Sequence, residues 1–303
     1  MALPVDRVLV EAFEQQLNPL NVTASGIPAR MLGFGEISCI LELDDMPGVV
    51  LKRMPLFHTR AQAEDYLEKY RTYCSLLIAA GLSLPADDAL IVQRDPQLFV
   101  LYFLQEKLAP YTIGNRQLDH LDDPGVQQLV EALIEAIEKV WAFNARQRRY
   151  RLAIDAQLSN WAWQAPQERL LYIDTSTPLF RIDGEEQLQP ELLLASAPGF
   201  ARAIIRTLFL AEVMNRYYDP RAVYIDLVAN LYKEQHAARI PLFVHCINAR
   251  THQGLSEREI ANYYRKDKFI WSLFLAMRKL DRWLHRYVYG KQYQFILPER
   301  IRR

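Results

Sequence analysis

Apolar and polar positions along the chain change rhythm near Pro110. Before it, short apolar runs alternate with turns; beyond it, apolar residues recur at helical spacing. Residues 29–43 and 49–54 read as two strands, with Gly33 and Gly35 interrupting the first and Asp44-Asp45-Met46-Pro47-Gly48 turning between them. Residues 60–80 read as an amphipathic helix, because Ala63, Leu67, Tyr70, Cys74 and Leu77 share a face and Gly81 supplies a stop. Runs 89–93 and 98–104 flank Arg94-Asp95-Pro96, a hairpin turn. The strongest helical stripe covers 126–141, with Asp123 or Pro124 as its start signal. Two short apolar runs, 152–154 and 170–173, each lead into an aspartate, and helices are expected over 191–218, 221–235, 256–264 and 268–289. The pattern predicts an α+β protein: strand, strand, helix, strand, strand, and then a mostly helical remainder.

Composition narrows the class. Thirty-six basic residues balance 36 acidic ones, so no field draws the whole chain to nucleic acid or to an anionic membrane, and neither is expected as a partner. Cys39, Cys74 and Cys246 are scattered and form no C-x-x-C pair. That usage predicts reduced thiols and a cytoplasmic setting. The first residues lack a basic region followed by an apolar run, so no secretory leader is read there. The most apolar long stretch, 201–214, is broken by Arg202, Arg206 and Glu212, which predicts no membrane span. The six histidines show no zinc-ligand spacing.

Several strings carry candidate chemistry. Gly33-Phe34-Gly35-Glu36-Ile37-Ser38 is followed by strand-like alternation rather than a helix. It therefore reads as a flap between strands, where glycine permits close approach of backbone to phosphates, and not as a dinucleotide fingerprint. Val49-Val50-Leu51-Lys52 places a lysine near the end of an apolar strand, within reach of such phosphates. A lysine in a cleft needs an anionic partner; Glu68 on the next helix is the first choice and Glu64 the second. Asp155-Ala156-Gln157-Leu158-Ser159-Asn160 sets a carboxylate and a carboxamide on one loop. The first suits orientation of a hydroxyl and acceptance of its proton, and the second is a hard oxygen donor for magnesium. Leu170-Leu171-Tyr172-Ile173-Asp174 ends a strand in a second carboxylate able to bind that metal.

In this order the parts resemble the protein-kinase superfamily, closest to its aminoglycoside phosphotransferase and choline kinase branch. The resemblance covers about residues 31–174. It implies two lobes: a small β-rich one with a single main helix over 1–107, and a larger helical one over 108–303. It further implies ATP and magnesium as cofactors. Gly33, Gly35 and Ser38 would cover the phosphates, Lys52 would contact them and pair with Glu68, and Gln105, Glu106 and Leu108 would edge the adenine. Asp155 would orient the acceptor, while Asn160 and Asp174 would hold the metal. The activity implied is transfer of the γ-phosphate to a hydroxyl of a small molecule.

The pattern departs from that family at named positions. Ala153 stands where a histidine is usual, Thr175-Ser176 follow Asp174 in place of Phe-Gly, Ser38 replaces a third glycine, and no A-P-E string precedes Pro190. The missing histidine motivates an alternative, a pseudokinase that binds nucleotide or partners without catalysis. The segments Arg216-Tyr217-Tyr218-Asp219 and Asn262-Tyr263-Tyr264-Arg265 set aromatics beside charges. They either line an acceptor pocket or pack with their hydroxyls tied to those charges.

Overall fold

The computed structural model describes residues 3–34, 38–188, 211–287 and residue 296. The protein is α+β. A first helix, α1 (Arg7–Gln16), is capped by the Asp6 side chain, which accepts from the Leu9 N–H. Five strands follow: β1 (Ala29–Phe34), β2 (Cys39–Leu43), β3 (Val49–Phe57), β4 (Asp87–Asp95) and β5 (Leu98–Glu106). They form one antiparallel sheet in the order β1-β2-β3-β5-β4. The crossover from β3 to β4 is α2 (Arg60–Ala79), which starts at a capping box in which Thr59 and Gln62 bond reciprocally. It stops before Gly81, whose φ of 92° suits glycine.

Strand alternation divides the sheet's side chains between two cores. Leu41, Val49, Leu51, Val100, Tyr102 and Leu104 face α1 and pack with Val10, Phe13 and Leu17. Met54, Leu101 and Phe103 face the other way and pack with Tyr66, Tyr70 and Tyr73 of α2. This second core runs on without a break into the helical remainder.

That remainder begins with a single turn, α3 (Gly114–Gln117), and the long α4 (Asp123–Arg146). The cap of α4 is Asp122, one residue earlier than predicted. Two small sheets then make the loops that matter: β6 (Tyr150–Leu152) pairs with β9 (Phe180–Ile182), which pairs with β10 (Glu185–Glu186), and β7 (Trp161–Gln164) pairs with β8 (Arg169–Tyr172). The final helices are α5 (Ala211–Arg216), α6 (Pro220–Lys233), α7 (Ile240–Thr251) and α8 (Glu257–Tyr287). Among the described residues no helix is long and apolar enough to cross a membrane.

The sequence pattern and the structure differ in several places, and α1 itself has no counterpart in the prediction. The run 29–43 is two strands, not one, because the chain reverses between Phe34 and Cys39, which pair across the hairpin. Helix α7 has no counterpart in the prediction; Pro241 looks like a breaker there but occupies the first turn, where its missing N–H costs nothing. Segments 256–264 and 268–289 merge into the single α8, since Arg265-Lys266-Asp267 contains no glycine or proline to end a helix. Most of the expected helix 191–218, and residues 288 and 289 of the last one, lie outside the described residues.

One buried ion pair fixes α1 to the sheet. Arg53, next to Lys52 on β3 and therefore on the opposite face, donates to both Glu14 carboxylate oxygens at 2.6 and 2.7 Å. Arg94 donates to the same carboxylate at 2.6 Å, and the Tyr102 hydroxyl donates to it as well. Glu14 and Arg53 are both fully buried. Burial pushes the Glu14 carboxyl upward, but the bonds and charge of Arg53, Tyr102 and Arg94 outweigh it and hold the group below its usual value. Replacing Glu14 with alanine leaves Arg53 buried without its counter-charge. The expected loss is about 3–5 kcal/mol of folding stability by urea denaturation, and a loss below about 1 kcal/mol would show that α1 is not held this way.

Candidate functional site

The same alternation that buries Arg53 turns Lys52 to the α2 side of the sheet. There its Nζ donates to Asp174 Oδ1 at 2.7 Å, across 122 positions of sequence. The two side chains are 23% and 20% exposed, so the pair is open enough for a ligand to reach. Neither Glu68 nor Glu64 takes the expected place beside Lys52. Both lie on the exposed face of α2, Glu64 paired with Arg60. The buried face of α2 presents Tyr66, Tyr70 and Tyr73 instead, and the carboxylate that Lys52 meets is that of Asp174.

Asp174 follows β8, whose placement is set from the sheet side. Tyr172 N–H donates to the Ser83 carbonyl at 2.9 Å. Beyond the aspartate, the Tyr66 hydroxyl donates to the Ser176 carbonyl at 2.9 Å. The Gln105 amide donates to the Ile173 carbonyl at 3.0 Å and to the Thr175 hydroxyl at 3.2 Å. Ser176 adds a long bond to Asp174 itself, 3.3 Å. The Thr175-Ser176 departure thus does structural work: both hydroxyls take part in holding the aspartate.

Asp155 sits on the loop after β6. Ala153 N–H donates to the Leu179 carbonyl at 2.9 Å, and the Tyr73 hydroxyl donates to the Ala153 carbonyl at 2.9 Å. Asp155 N–H reaches the Tyr172 hydroxyl at 3.3 Å. Two buried tyrosines therefore brace the loop where a histidine was expected. Asn160 closes it, donating from its amide to the Asp155 carbonyl at 3.1 Å, and the Ile173 N–H bonds the Asn160 carbonyl at 2.9 Å. The loop bearing Asp155 and Asn160 is thus joined by backbone to the strand end bearing Asp174.

The Asp155 carboxylate accepts from Gln157, from its N–H at 3.2 Å and its amide at 3.0 Å. The amide oxygen of Gln157 in turn accepts from Lys233 Nζ at 3.0 Å, at the end of α6. A lysine only donates, so it fixes which end of the amide turns to Asp155. Burial pushes the Asp155 carboxyl up to about 7, and the negative charges of Asp226 and Asp174 add to the shift; the Arg216 charge and the Gln157 N–H oppose it.

Arg216 and Asp226 belong to a network between α5, α6 and α8. Arg216 donates to Asp267 at 3.0 Å, to the Tyr263 hydroxyl at 2.9 Å and to the Tyr217 hydroxyl at 3.1 Å. Tyr263 donates to Asp226 at 2.7 Å. The crevice among Asp226, Lys233, Tyr263 and Asp267 has a volume of about 10 Å³, room for about one water and not for an organic acceptor. Of the two readings of these aromatic and charged segments, packing with tied hydroxyls is the one realised here.

The flap and the adenine edge come out differently from expectation. Gly33 is a strand position in β1, at a bulge, and not a loop tip; a Cβ there would meet only the Ile40 side chain at 3.6 Å. Gly35 lies outside the described residues. Ser38 is buried, one residue before β2. Gln105 is drawn inward to the Asp174 strand, and the N–H groups of Glu106 and Lys107 bond the Ala86 and Gly48 carbonyls. Two backbone donors of the expected edge therefore already serve the sheet.

The structure thus brings Lys52, Asp155, Asn160 and Asp174 together and leaves Glu68 out. Tyr66, Tyr73, Tyr172, Gln157, Asp226 and Lys233 complete the site without having stood out in the sequence. Aromatics on a helix face and a lone lysine at a helix end read as ordinary packing and solvated surface. The chain belongs to a family of unknown function, DUF6206. The match spans residues 22–282, which takes in every site residue named above. No curated protein matches the chain.

The raised Asp155 carboxyl carries a pH signature. A folded-state value of about 7 against an ordinary 3.8 means that the folded protein holds this proton more tightly. The associated stability is present below about pH 4 and is lost as pH rises through 7. Asp155→Asn, which removes the titrating group, is expected to flatten that slope, so that the variant loses less stability than the original protein between pH 5 and pH 8. Denaturation curves at pH 5 and pH 8 measure it, and an unchanged slope in the variant would assign the pH dependence elsewhere.

Proposed function

We propose that the chain is an ATP- and magnesium-dependent phosphotransferase with the two-lobed arrangement of the kinase superfamily, acting on a hydroxyl of a small molecule. The observation that carries this reading is the Lys52–Asp174 contact of 2.7 Å beside the Asp155–Asn160 loop. The strand order β1-β2-β3-β5-β4 with a helix crossing from β3 to β4 supports it.

The donor set fits magnesium, which takes one or two carboxylates along with phosphate oxygens and water. Asp174 and the amide oxygen of Asn160 would hold the ion, which when bound neutralises charge on the phosphates. Lys52 then turns from Asp174 to the phosphate oxygens, exchanging one anionic partner for another. Asp155, with a carboxyl near 7, is suited to accept a proton close to neutral pH. The acceptor oxygen bonds to the γ-phosphorus, the bond to the β–γ bridging oxygen breaks, ADP leaves, and the hydroxyl proton passes to Asp155. Gln157, held by Lys233, orients that carboxylate.

A second reading is favoured by one observation: the expected glutamates of α2 lie on its exposed face, and Lys52 bonds Asp174 instead. A protein that binds nucleotide without transferring phosphate needs no such glutamate. One set of measurements separates the two. With ATP and magnesium at about 100 times the dissociation constant, unfolding should be opposed by about 2.7 kcal/mol, and Lys52→Met should abolish that gain. Asp155→Ala is expected to keep it while lowering phosphate transfer across a panel of hydroxyl acceptors by about 10²–10⁴. Stabilisation with no ATP consumption by the unaltered protein would favour the binding module, and no stabilisation by ATP would sink both.

A further inference from the structure

We infer that the outer half of α8 is a docking surface for an anionic lipid bilayer. The inner half of this helix is fixed by polar contacts: Arg221 bonds Glu259, Tyr263 bonds Asp226, Tyr264 stacks on Tyr232 at 4.9 Å, and Arg216 bonds Asp267. Beyond Asp267 the exposed side chains change character. Phe269, Leu273, Leu280 and Trp283 are 68%, 40%, 42% and 52% exposed. With the exposed Ala276 they follow one another at steps of four and three, which places them on one stripe. At 1.5 Å per residue the stripe is about 21 Å long.

Charge chooses the occupant. Residues 265–287 hold seven lysines and arginines against two aspartates, in a chain whose total is balanced. One of those aspartates, Asp267, is engaged by Arg216. A second copy of the same stripe would set like charges against each other, although the four-three spacing alone would suit a coiled coil. An anionic surface satisfies both features, taking up the apolar stripe and attracting the exposed Arg265, Lys266, Lys268 and Lys279 beside it. Tryptophan and phenylalanine suit the boundary between headgroups and chains. The helix lies on such a surface and does not cross it, in keeping with the absence of any spanning helix among the described residues.

The inference is independent of the proposed phosphotransferase, and its test needs no nucleotide. The full chain is sedimented with phosphatidylcholine vesicles, with and without phosphatidylserine, at low and high salt. The expected result is at least about ten-fold stronger partition onto the phosphatidylserine vesicles, weakening with salt. Leu273→Glu with Leu280→Glu, and separately Arg265→Glu with Lys279→Glu, should each lower that partition about ten-fold or more. All four positions are exposed, so circular dichroism and the unfolding midpoint should stay at their original values. No partition onto either vesicle, or unaltered partition of the double leucine variant, would overturn the inference. So would a dimer in light scattering that the leucine variant dissolves while the original protein leaves vesicles untouched.

Discussion

Lys52 and Asp174 meet at 2.7 Å although 122 residues separate them, and most of the structure can be understood as what that meeting requires. The lysine must leave β3 on the side away from α1, which strand alternation ensures once Arg53 is locked to Glu14 on the other face. The aspartate must end β8 beneath the sheet, which the Tyr172–Ser83 backbone bond and the Gln105 amide ensure. A shift of one residue in β3 would exchange the two basic side chains between faces, putting Arg53 in the cleft and Lys52 against a buried glutamate. The register Lys52↔Phe103 and Val50↔Gln105 therefore fixes the chemistry as well as the sheet.

The region below the sheet gathers like charges. Asp155, Asp174 and Asp226 lie close enough for the last two to raise the proton affinity of the first. Lys52, Lys233 and Arg216 are set among them, yet only Lys52 bonds one of these three carboxylates closely, since Lys233 acts through Gln157 and Arg216 stands 3.8 Å from Asp226. An arrangement meant only for stability would pair each carboxylate directly, as Glu14 is paired. Asp155 is instead held by the Gln157 amide with a raised proton affinity, the kind of environment in which functional carboxylates are found.

What could be read in the sequence was the part carried by local strings. Lys52 at the end of an apolar run, Asp155 and Asn160 five apart on one loop, and Asp174 after a strand are all patterns within a few residues. Glu68 was misassigned because choosing a partner across elements requires the helix's rotation, and the tyrosines that define its buried face looked like core alone. Gln157 and Lys233 escaped notice because their roles arise from each other at a separation of 76 positions. Arg53 was not singled out in the sequence at all. A charged residue at the end of an apolar run reads as surface, and only α1 packed on the sheet reveals it as fully buried.

Helix α8 shows why a balanced total charge excludes less than it first suggests. Along one continuous helix, the inner turns supply carboxylates and phenols to the network beside Asp155, and the outer turns carry exposed apolar residues among basic ones. Whole-chain charge averages these two regions with the acidic remainder and reports zero. The field that a ligand or a surface meets falls off within about 8–10 Å at physiological salt. Partners are therefore selected by segments of about that size. The helix's polar anchor to α6 also fixes the outer stripe in rotation relative to the site, because a continuous helix transmits its angular register from one turn to the next.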